Sequence, residues 1–505
     1  MTVKGKKSTI LPCILVFLMF GDLLLEMADM IIPVRHLIQM QVISAAGKAP
    51  KALLIIAGIT IAVIAGYVLF RLIVSGKWEI RIFLVYVLWL VLTRFLNGDH
   101  LLRREFLTVM DILITFLMFA SAAQLNEKQR NLFLSALVII YCCFFVMVCI
   151  TGLFVTITGS YLCIDPVYDI WIKVDRIAGV NSLVLFSQNT IICASWVYIA
   201  LALLVYAFIR RHNCVLRILI LLGIVPVFLT LPLFHSRTIQ IVFAISCGML
   251  ALLILMRSLN NLSLLIRIPT VVFVTALALL IGFFSFNWSN VLVTELRSSC
   301  SPVFSDYYES IDNKADPAVF GIDISEEISG NMEEQRELST NSTMTGRTDI
   351  WKSGFIAMRR DPSILEYGSL SDELMNPVNR ILKEEINPAV KKDKPHMHNM
   401  FLQILMLTGI PGLLLTGVWI VSMVSKMIRF FFLDPDNKLI AVQYLTIPIS
   451  GVIIWHLAEA GIFTKTDVFG KVFFFLCGIL VSYYYDYFPA KTHIRLFRSK
   501  CHEPY

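Results

Sequence analysis

Long apolar runs separated by short polar connections dominate this chain. A helix needs about 20 mostly apolar residues to cross the hydrocarbon of a bilayer, whereas barrel strands alternate apolar and polar residues over about 10 positions. Runs of the helical kind, bounded by charged or turn residues, lie at approximately residues 10–31, 52–74, 80–96, 106–124, 131–157, 187–209, 214–234, 238–256, 268–286, 398–425, 439–463 and 466–488. The pattern predicts an all-α, polytopic transmembrane helical bundle of about twelve spans.

One long polar insertion interrupts this pattern between the ninth and tenth runs. It is rich in Asp, Glu, Ser, Asn and Lys and contains only short amphipathic stretches at helical spacing. We therefore expect a bundle of about nine spans, one large extracytoplasmic loop or cap, a bundle of about three spans, and a cytoplasmic tail. These regions are residues 1–286, 287–397, 398–488 and 489–505.

The composition and the distribution of charge agree with a membrane protein. Hydrophobic residues make up 57% of the chain and charged residues 16%, with a mean hydropathy of +0.75. A water-soluble chain of this length would need more polar surface. With a cytoplasmic N-terminus, the cytoplasmic segments hold 20 of the 43 Lys and Arg residues and the short outer loops hold 11. Because basic residues favour the cytoplasmic side, both termini are predicted inside and the long insertion outside.

Several ionisable residues fall inside the predicted spans, where a charge costs at least about 2.5 to 3.5 kcal/mol. Asp22, Glu26 and Asp29 follow one another at i, i+4 and i+7, on one face of the first helix. They could line a polar or ion-coupling path, or they could pair with basic residues of neighbouring helices. His456 and Glu459, near the outer end of the eleventh span, leave the same two interpretations open.

Three arginines and one histidine are brought to the outer face by this topology. Arg237 lies in the tight connection "LPLFHSRTIQ", Arg347 in the segment "TGRTDIWKSG" of the long insertion, and Arg176 in "KVDRIAGVNS" before the sixth span. His398 begins the tenth span in "KPHMHNMFLQ". A single interfacial arginine often only reaches towards lipid headgroups. Together, these residues predict an outward-facing cationic pocket with one titratable imidazole.

The histidine segment resembles a known signature. In "HNMFLQILMLTGIPG", His398 and Asn399 are followed by nine residues, Gly409, two residues and Gly412. This spacing is similar to the HN-x9-G-x-x-G signature of the O-antigen ligase and O-antigen polymerase superfamily of bacterial membrane glycosyltransferases. One departure is Leu413, since ligases usually have Thr or Val after the last glycine. The departure bears on the ligase subtype more than on the superfamily.

The arginine segments extend the resemblance over most of the chain. "SRT" at 236–238 and "GRTDIW" at 346–351 are similar to the other two arginine segments of that superfamily and occur in the expected order. "RIAGVNS" weakly resembles a fourth segment. About twelve spans with one large outer loop before the histidine motif also fit that superfamily.

The resemblance implies a chemistry that these residue types can perform. Members of the superfamily transfer an undecaprenyl-diphosphate-linked glycan to a hydroxyl acceptor, on lipid A core in ligases or on another glycan in polymerases. Arg237 and Arg347 are candidates to bind the diphosphate, because guanidinium groups donate paired hydrogen bonds to phosphate. His398 is the candidate catalytic base, because an imidazole titrates near neutral pH. Further candidate substrate-binding residues are Arg176, Asn399, His456 and Glu459.

The same resemblance sets the expected partners and location. We expect a glycan or lipid-linked acceptor, contact with membrane lipid, no nucleic acid, and a multi-pass protein of the bacterial cytoplasmic membrane. No cofactor and no metal are expected, since two fixed cations could replace a metal ion at the diphosphate. The alternative function is a lipid-linked oligosaccharide or polysaccharide transporter (flippase). Transporters often show two related halves with interrupted helices, and this sequence has no such symmetry. Ligase and polymerase activities remain open.

Overall fold

Long helices account for most of the structure, which is a computed structural model. It describes residues 10–30, 76–96, 103–165, 170–177, 180–186, 190–259, 263–311, 320–322, 347–368, 375–388, 397–432, 440–458 and 468–488. Within these ranges the chain forms a bundle of long helices, with a small sheet and a group of short helices at one end.

The long helices follow the predicted apolar runs. Eleven of the predicted spans fall on helices, and the run at 52–74 lies outside the described residues. Six helices in the described ranges are long and apolar enough to cross a membrane. The chain is therefore an all-α, polytopic membrane protein, while the exact number of spans stays a prediction. The helices are α1 (Ile10–Asp29), α2 (Trp78–Leu96), α3 (Arg103–Ala122), α4 (Glu127–Thr158), α5 (Thr190–Arg210), α6 (Cys214–Thr230), α7 (Arg237–Ser258), α8 (Leu264–Ile311), α12 (Met400–Phe432), α13 (Ile440–Ala458) and α14 (Val468–Tyr487).

Local sequence signals explain where several helices begin and end. Asn126 and Gln129 form a reciprocal capping box at the start of α4, which satisfies backbone donors that a helix leaves unpaired. The same helix ends at Gly159, whose φ of 69° suits a residue without a Cβ. Asn213 caps α6 through its side-chain oxygen. These polar residues therefore divide the apolar runs into separate helices.

An aromatic cluster holds α2, α3, α12 and α14 together. The ring of Phe83 lies 5.6 Å from the rings of Phe116, Phe119 and Trp419, and 4.9 Å from that of Phe474. Most of these pairs are tilted or edge-to-face, a geometry that aromatic rings favour. Trp419 is almost fully buried. This packing holds the part of α12 around Trp419 against the rest of the bundle.

Two half-buried acidic residues of α1 are partners of a lysine. Lys471 of α14 is fully buried, and its ammonium lies 2.5 Å from Asp22 and 2.7 Å from Glu26. Of the two interpretations left open by the sequence, the structure therefore supports pairing with a basic residue on a neighbouring helix. The side chain of Asp29 lies outside the described residues. A buried charge is tolerated when it is paired in this way.

A second buried ion pair joins α2, α12 and α14 near the opposite end of the bundle. Glu79 and Lys426 form the pair, and Ser422 and Tyr485 each donate a hydrogen bond of 3.1 Å to the carboxylate of Glu79. The Lys426 ammonium also lies 5.3 Å from the ring centre of Trp78. These contacts satisfy both charges without solvent.

A small antiparallel sheet, which the sequence analysis did not predict, follows α4. Its strands are β1 (Ser160–Asp165), β2 (Ile170–Ile177), β3 (Val180–Leu185) and β4 (Phe320–Ile322), in the order β3-β2-β1-β4. β4 comes from the long insertion and pairs with β1. The pairing could not be seen in the sequence because β4 is short and lies far from β1 along the chain.

The sheet packs onto the end of the bundle. Ile172, Leu183 and Leu185 are buried, and a Cβ added to Gly152 of α4 would lie 2.9 Å from the Leu183 side chain. The absence of a side chain at Gly152 therefore lets β3 lie directly against α4. Because β1 follows α4 and β3 precedes α5, the sheet lies at the end of the bundle where α4 stops and α5 starts.

Helix α8 continues beyond the predicted boundary of the polar insertion at residue 286. Phe286, Ser289 and Val293 are all buried, and their spacing of three and four residues continues one face of a helix. The packing of this face supports the helix as far as Val293, and the helix itself continues to Ile311.

The described part of the polar insertion also contains a compact group of short helices, which we call the cap. Its helices are α9 (347–360), α10 (Ser363–Tyr367) and α11 (Met375–Ile381), the last extended by a π-helical turn (Leu382–Ile386). Their apolar side chains form a separate small core together with the start of α12. The buried members are Ile350, Ala357, Met358, Ile364, Val378, Ile381, Leu382, Met397 and Met406. The cap is thus packed onto the first half of α12.

Candidate active site at the capped end of the bundle

The chain segments that carry the predicted site residues meet at the capped end. The 3₁₀ turn Leu231–Phe234, just before α7, is buried and packs against β3 and α5. Asn399, just before α12, donates a hydrogen bond of 3.1 Å from its side chain to the carbonyl of Leu457 in the last turn of α13. The start of α7, the start of α12 and the end of α13 therefore share one end of the bundle with the sheet.

Asn399 caps helix α12 and sets the position of the histidine before it. Its side-chain oxygen accepts a hydrogen bond of 3.0 Å from the backbone N–H of Leu402, as a residue at the N-cap does. His398 is half-buried and has a φ of 49°, a region that non-glycine residues rarely adopt. The motif asparagine therefore has a structural role in addition to the substrate-binding role predicted for it.

The peptide before His398 is held from two sides. The backbone N–H of Met397 donates to the side-chain oxygen of Gln403 at 2.8 Å. The indole N–H of Trp351 donates to the carbonyl of Met397, also at 2.8 Å. Met397 itself is fully buried. The sequence analysis singled out neither Trp351 nor Gln403, although Trp351 belongs to the quoted segment "GRTDIW".

Arg347 lies on the same helix as Trp351, which contacts this peptide. It is half-buried in the first turn of α9, and Trp351 is one turn further on, so that both side chains project from one face. Asp349 accepts a hydrogen bond of 3.1 Å from the side-chain amide of Asn387, which anchors the start of α9 within the cap. The hydrogen bond from Trp351 thus brings the arginine segment next to the histidine segment.

Arg237 is the first residue of α7 and its side chain is exposed. His235, with a φ of 50°, ends the buried 3₁₀ turn, and the Ser236 hydroxyl accepts a hydrogen bond of 3.4 Å from the N–H of Ile239. This hydroxyl caps the helix. The connection between α6 and α7 is therefore short, as the sequence predicts, and Arg237 lies exposed at its end.

Helix register relates Arg237 to the histidine segment. The Ser450 hydroxyl of α13 lies 3.1 Å from the sulfur of Met249 in α7. From Met249 back to Arg237 the helix rises about 18 Å, and from Ser450 to the end of α13 it rises about 12 Å. The two helices run in opposite directions, so Arg237 lies near the level where Leu457 contacts Asn399.

The other predicted residues are placed less directly. Arg176 lies in β2, opposite Asn181 of β3, and its side chain is outside the described residues, as is the whole of Glu459. His456 is buried, with its ring centre 4.6 Å from that of Trp455 and 5.6 Å from that of Phe469. An imidazole enclosed by aromatic rings is shielded from an aqueous acceptor, although it lies next to Leu457.

The motif glycine Gly409 breaks helix α12. Its φ of 68° and ψ of −172° are not helical, and an added Cβ would lie 2.7 Å from the carbonyl oxygen of Glu366 in α10. The facing Gly368 has a φ of 78° and approaches the α12 backbone closely. The Thr408 carbonyl at the break accepts a hydrogen bond of 2.7 Å from the Trp89 indole. Helix α12 is therefore kinked at Gly409, at the point where the backbone of the cap approaches it closely.

An apolar groove runs beside this kink, between α2 and α12. It encloses about 490 Å³ and is open to the outside of the bundle. Its lining residues are Val85, Leu88, Trp89, Leu92, Pro411, Leu414 and Leu415. A groove with this lining suits a hydrocarbon chain.

No group of three His, Cys, Asp or Glu side chains in the described part of the chain has the geometry to hold a metal ion. The metal independence expected from the sequence is still a prediction, because parts of the insertion lie outside that description.

These features define a class of protein, a polytopic membrane protein in which arginine and histidine segments lie at one end of a helical bundle, beside a group of short helices. Residues 222–417 match the model of the O-antigen ligase family (Wzy_C). The matched range contains Arg237, Arg347 and His398, and it supports assignment of this chain to the O-antigen ligase and polymerase superfamily. No curated protein matches the chain, and no solved structure matches it.

Proposed function

We propose that this protein transfers a glycan from an undecaprenyl-diphosphate carrier to a hydroxyl acceptor, on the outer face of the bacterial cytoplasmic membrane. The observation that carries the proposal is the hydrogen bond from Trp351 to the carbonyl of Met397. It joins the helix of Arg347 to the peptide before His398, within a range that matches the O-antigen ligase family. A transfer from a diphosphate is helped by a cation at the leaving group and a base at the acceptor, and this contact links the two chain segments that carry the candidates for these roles.

In the proposed reaction, His398 takes the proton of the acceptor hydroxyl as its oxygen attacks the anomeric carbon. The bond between that carbon and the diphosphate oxygen breaks, and the electron pair stays on the diphosphate. Arg347 donates paired hydrogen bonds to this developing charge. Arg237, exposed at the same end of the bundle, is the second proposed phosphate ligand.

The environment of α12 suits a donor that is part lipid and part sugar. The apolar groove beside the kink could hold part of the prenyl chain, because hydrocarbon is stabilised by apolar surface. The start of α12 lies about two to three helical turns beyond the kink, under the polar cap. The reacting diphosphate would then lie between the groove and the cap.

Purified protein in detergent provides the test. A detergent micelle has no separate leaflets between which a lipid could be moved, so a flippase forms no new covalent product in it. A transferase still joins donor and acceptor in the micelle. We expect transfer from a synthetic prenyl-diphosphate oligosaccharide, measured by mass spectrometry with lipid A core and with a second lipid-linked glycan as alternative acceptors. The acceptor that reacts separates a ligase from a polymerase.

His398→Ala should abolish transfer but retain donor binding, since binding is assigned to the arginines. His212→Ala is the matched control, because His212 is exposed in the connection between α5 and α6, at the opposite end of the bundle. Transfer by His398→Ala at the wild-type rate would contradict the proposed base. Absence of transfer by the wild-type protein with both acceptors would contradict the proposed function itself.

A further inference from the structure

Trp351 connects the two chemical groups of the proposed site. It lies one turn after Arg347 on the same face of α9, and its ring packs against the small core of the cap. Its indole N–H donates to the carbonyl of Met397 at 2.8 Å. His398 is the next residue along the chain. One side chain therefore sets the spacing between the helix of the arginine and the backbone of the histidine.

Met397, whose carbonyl accepts this hydrogen bond, is held in place by its other neighbours. It is fully buried, and Gln403 holds its backbone N–H at 2.8 Å. The Met397 side chain fills the space above Gly354 of α9, where an added Cβ would overlap its terminal methyl group. Both polar atoms of the Met397 backbone and its side chain are thus fixed by neighbouring groups.

This fixation matters because His398 has an uncommon backbone conformation. Its φ of 49° is rare for residues with a side chain, and such conformations persist only where the surroundings enforce them. Asn399 fixes the chain on the other side by capping α12 and contacting Leu457. The contacts on both sides of His398 therefore fix the backbone from which its imidazole projects.

We propose that Trp351 is a positioning residue, which holds the His398 imidazole at the distance from Arg347 that glycan transfer requires. The inference rests on the proposed function. Trp351 acts through the Met397 carbonyl and does not contact the reacting atoms. Loss of its N–H would leave that carbonyl without this donor, and the peptide could rotate. A displacement of about 1 Å at a reacting group can lower a rate by as much as about 100-fold.

The test compares Trp351→Phe with wild type in the detergent assay. Phe keeps an apolar ring but has no N–H donor. We expect kcat to fall on the order of tenfold, with the donor KM, the stoichiometry of donor binding and the thermal midpoint unchanged. Trp78→Phe is the matched control, since Trp78 is 39% exposed at the start of α2, beside Lys426 at the end of the bundle away from the cap. It should have the wild-type kcat.

A second variant covers the case in which Trp351→Phe perturbs the fold. Benzothienylalanine at position 351 keeps the bicyclic ring and replaces the N–H by sulfur, so it tests the hydrogen bond alone. The same fall in kcat would support positioning. A wild-type kcat with this residue, or equal falls in kcat and in the fraction of protein that binds donor, would overturn it. In either case a normal wild-type rate, abolished by His398→Ala, shows that the proposed function still stands.

Discussion

Replacing Gly409 by Ala tests how the cap is joined to the bundle. Gly409 has a φ of 68° and a ψ of −172°, and side chains are strained by about 1–3 kcal/mol in such conformations. The new Cβ would also lie 2.7 Å from the carbonyl oxygen of Glu366. Moving packed backbone away costs a further amount of about 1–3 kcal/mol. We therefore expect a total loss of about 2–6 kcal/mol, concentrated at the contact between α10 and α12.

The assay is thermal unfolding of the purified protein in detergent, together with the rate of glycan transfer. Gly417→Ala is the matched control, because Gly417 lies in the same helix with no atom within 4 Å of an added Cβ. It should be neutral or slightly stabilising, since Ala is favoured over Gly inside a helix by about 0.5–1 kcal/mol. Gly409→Ala should lower the midpoint by at least several degrees and lower the transfer rate, because the cap carries Arg347.

Gly368→Ala tests the same contact between the cap and α12 from the side of the cap. A Cβ there would overlap the backbone of Leu407 and Thr408. Since the two glycines share one contact, the double variant should lose less stability than the sum of the single variants. If Gly409→Ala matched Gly417→Ala in both midpoint and rate, the reasoning about this close approach would be wrong.

Three other expectations can be measured independently. Arg347→Lys keeps the charge but removes the bidentate geometry, so transfer should fall substantially while Arg359→Lys, at an exposed position of α9, stays near wild type; equal rates would argue against a phosphate ligand. A cysteine at Asn341 in a Cys-free background should react with an impermeant thiol reagent in intact cells, and labelling only after lysis would reverse the topology. The hydrogen bond from Arg360 lowers the pKa of the Glu385 carboxyl. The pair therefore stabilises the cap at pH values above the ordinary pKa of glutamate, and this stabilisation is lost as the pH falls through the lowered pKa. Glu385→Gln should therefore flatten the acid dependence of the thermal midpoint, and an unchanged dependence would mean that this pair contributes nothing measurable.

The long helices were predictable from sequence because an apolar run determines its own structure in lipid. A backbone without water as a partner must satisfy its hydrogen bonds internally, which favours a helix. The run predicted at 439–463 accordingly lies on α13, and the one at 466–488 lies on α14. Gly409 and Pro411 mark a candidate position for a kink. Gly223 and Pro226, however, lie inside the continuous helix α6, so the break at Gly409 depends on the approach of the cap.

The contacts between distant segments were decided only by the tertiary structure. Lys471 pairs with Asp22 and Glu26 across 449 and 445 residues of chain. The spacing of the two acids predicted a shared face, but it could not name the partner. β4 likewise pairs with β1, from which it is distant along the chain. This pairing could not be predicted because it depends on backbone groups that every sequence possesses.

The candidate site divides along the same line. The sequence by itself determined which residues can bind a diphosphate and accept a proton, since charge and titration range belong to the side chain. Only the folded chain decided that His456 is enclosed by aromatic rings, and that Trp351 reaches the carbonyl of Met397 across 46 residues. The residues next to Trp351 in the sequence do not indicate its hydrogen-bond partner. The partner is a backbone carbonyl that the packing of α9 on α12 brings to the indole.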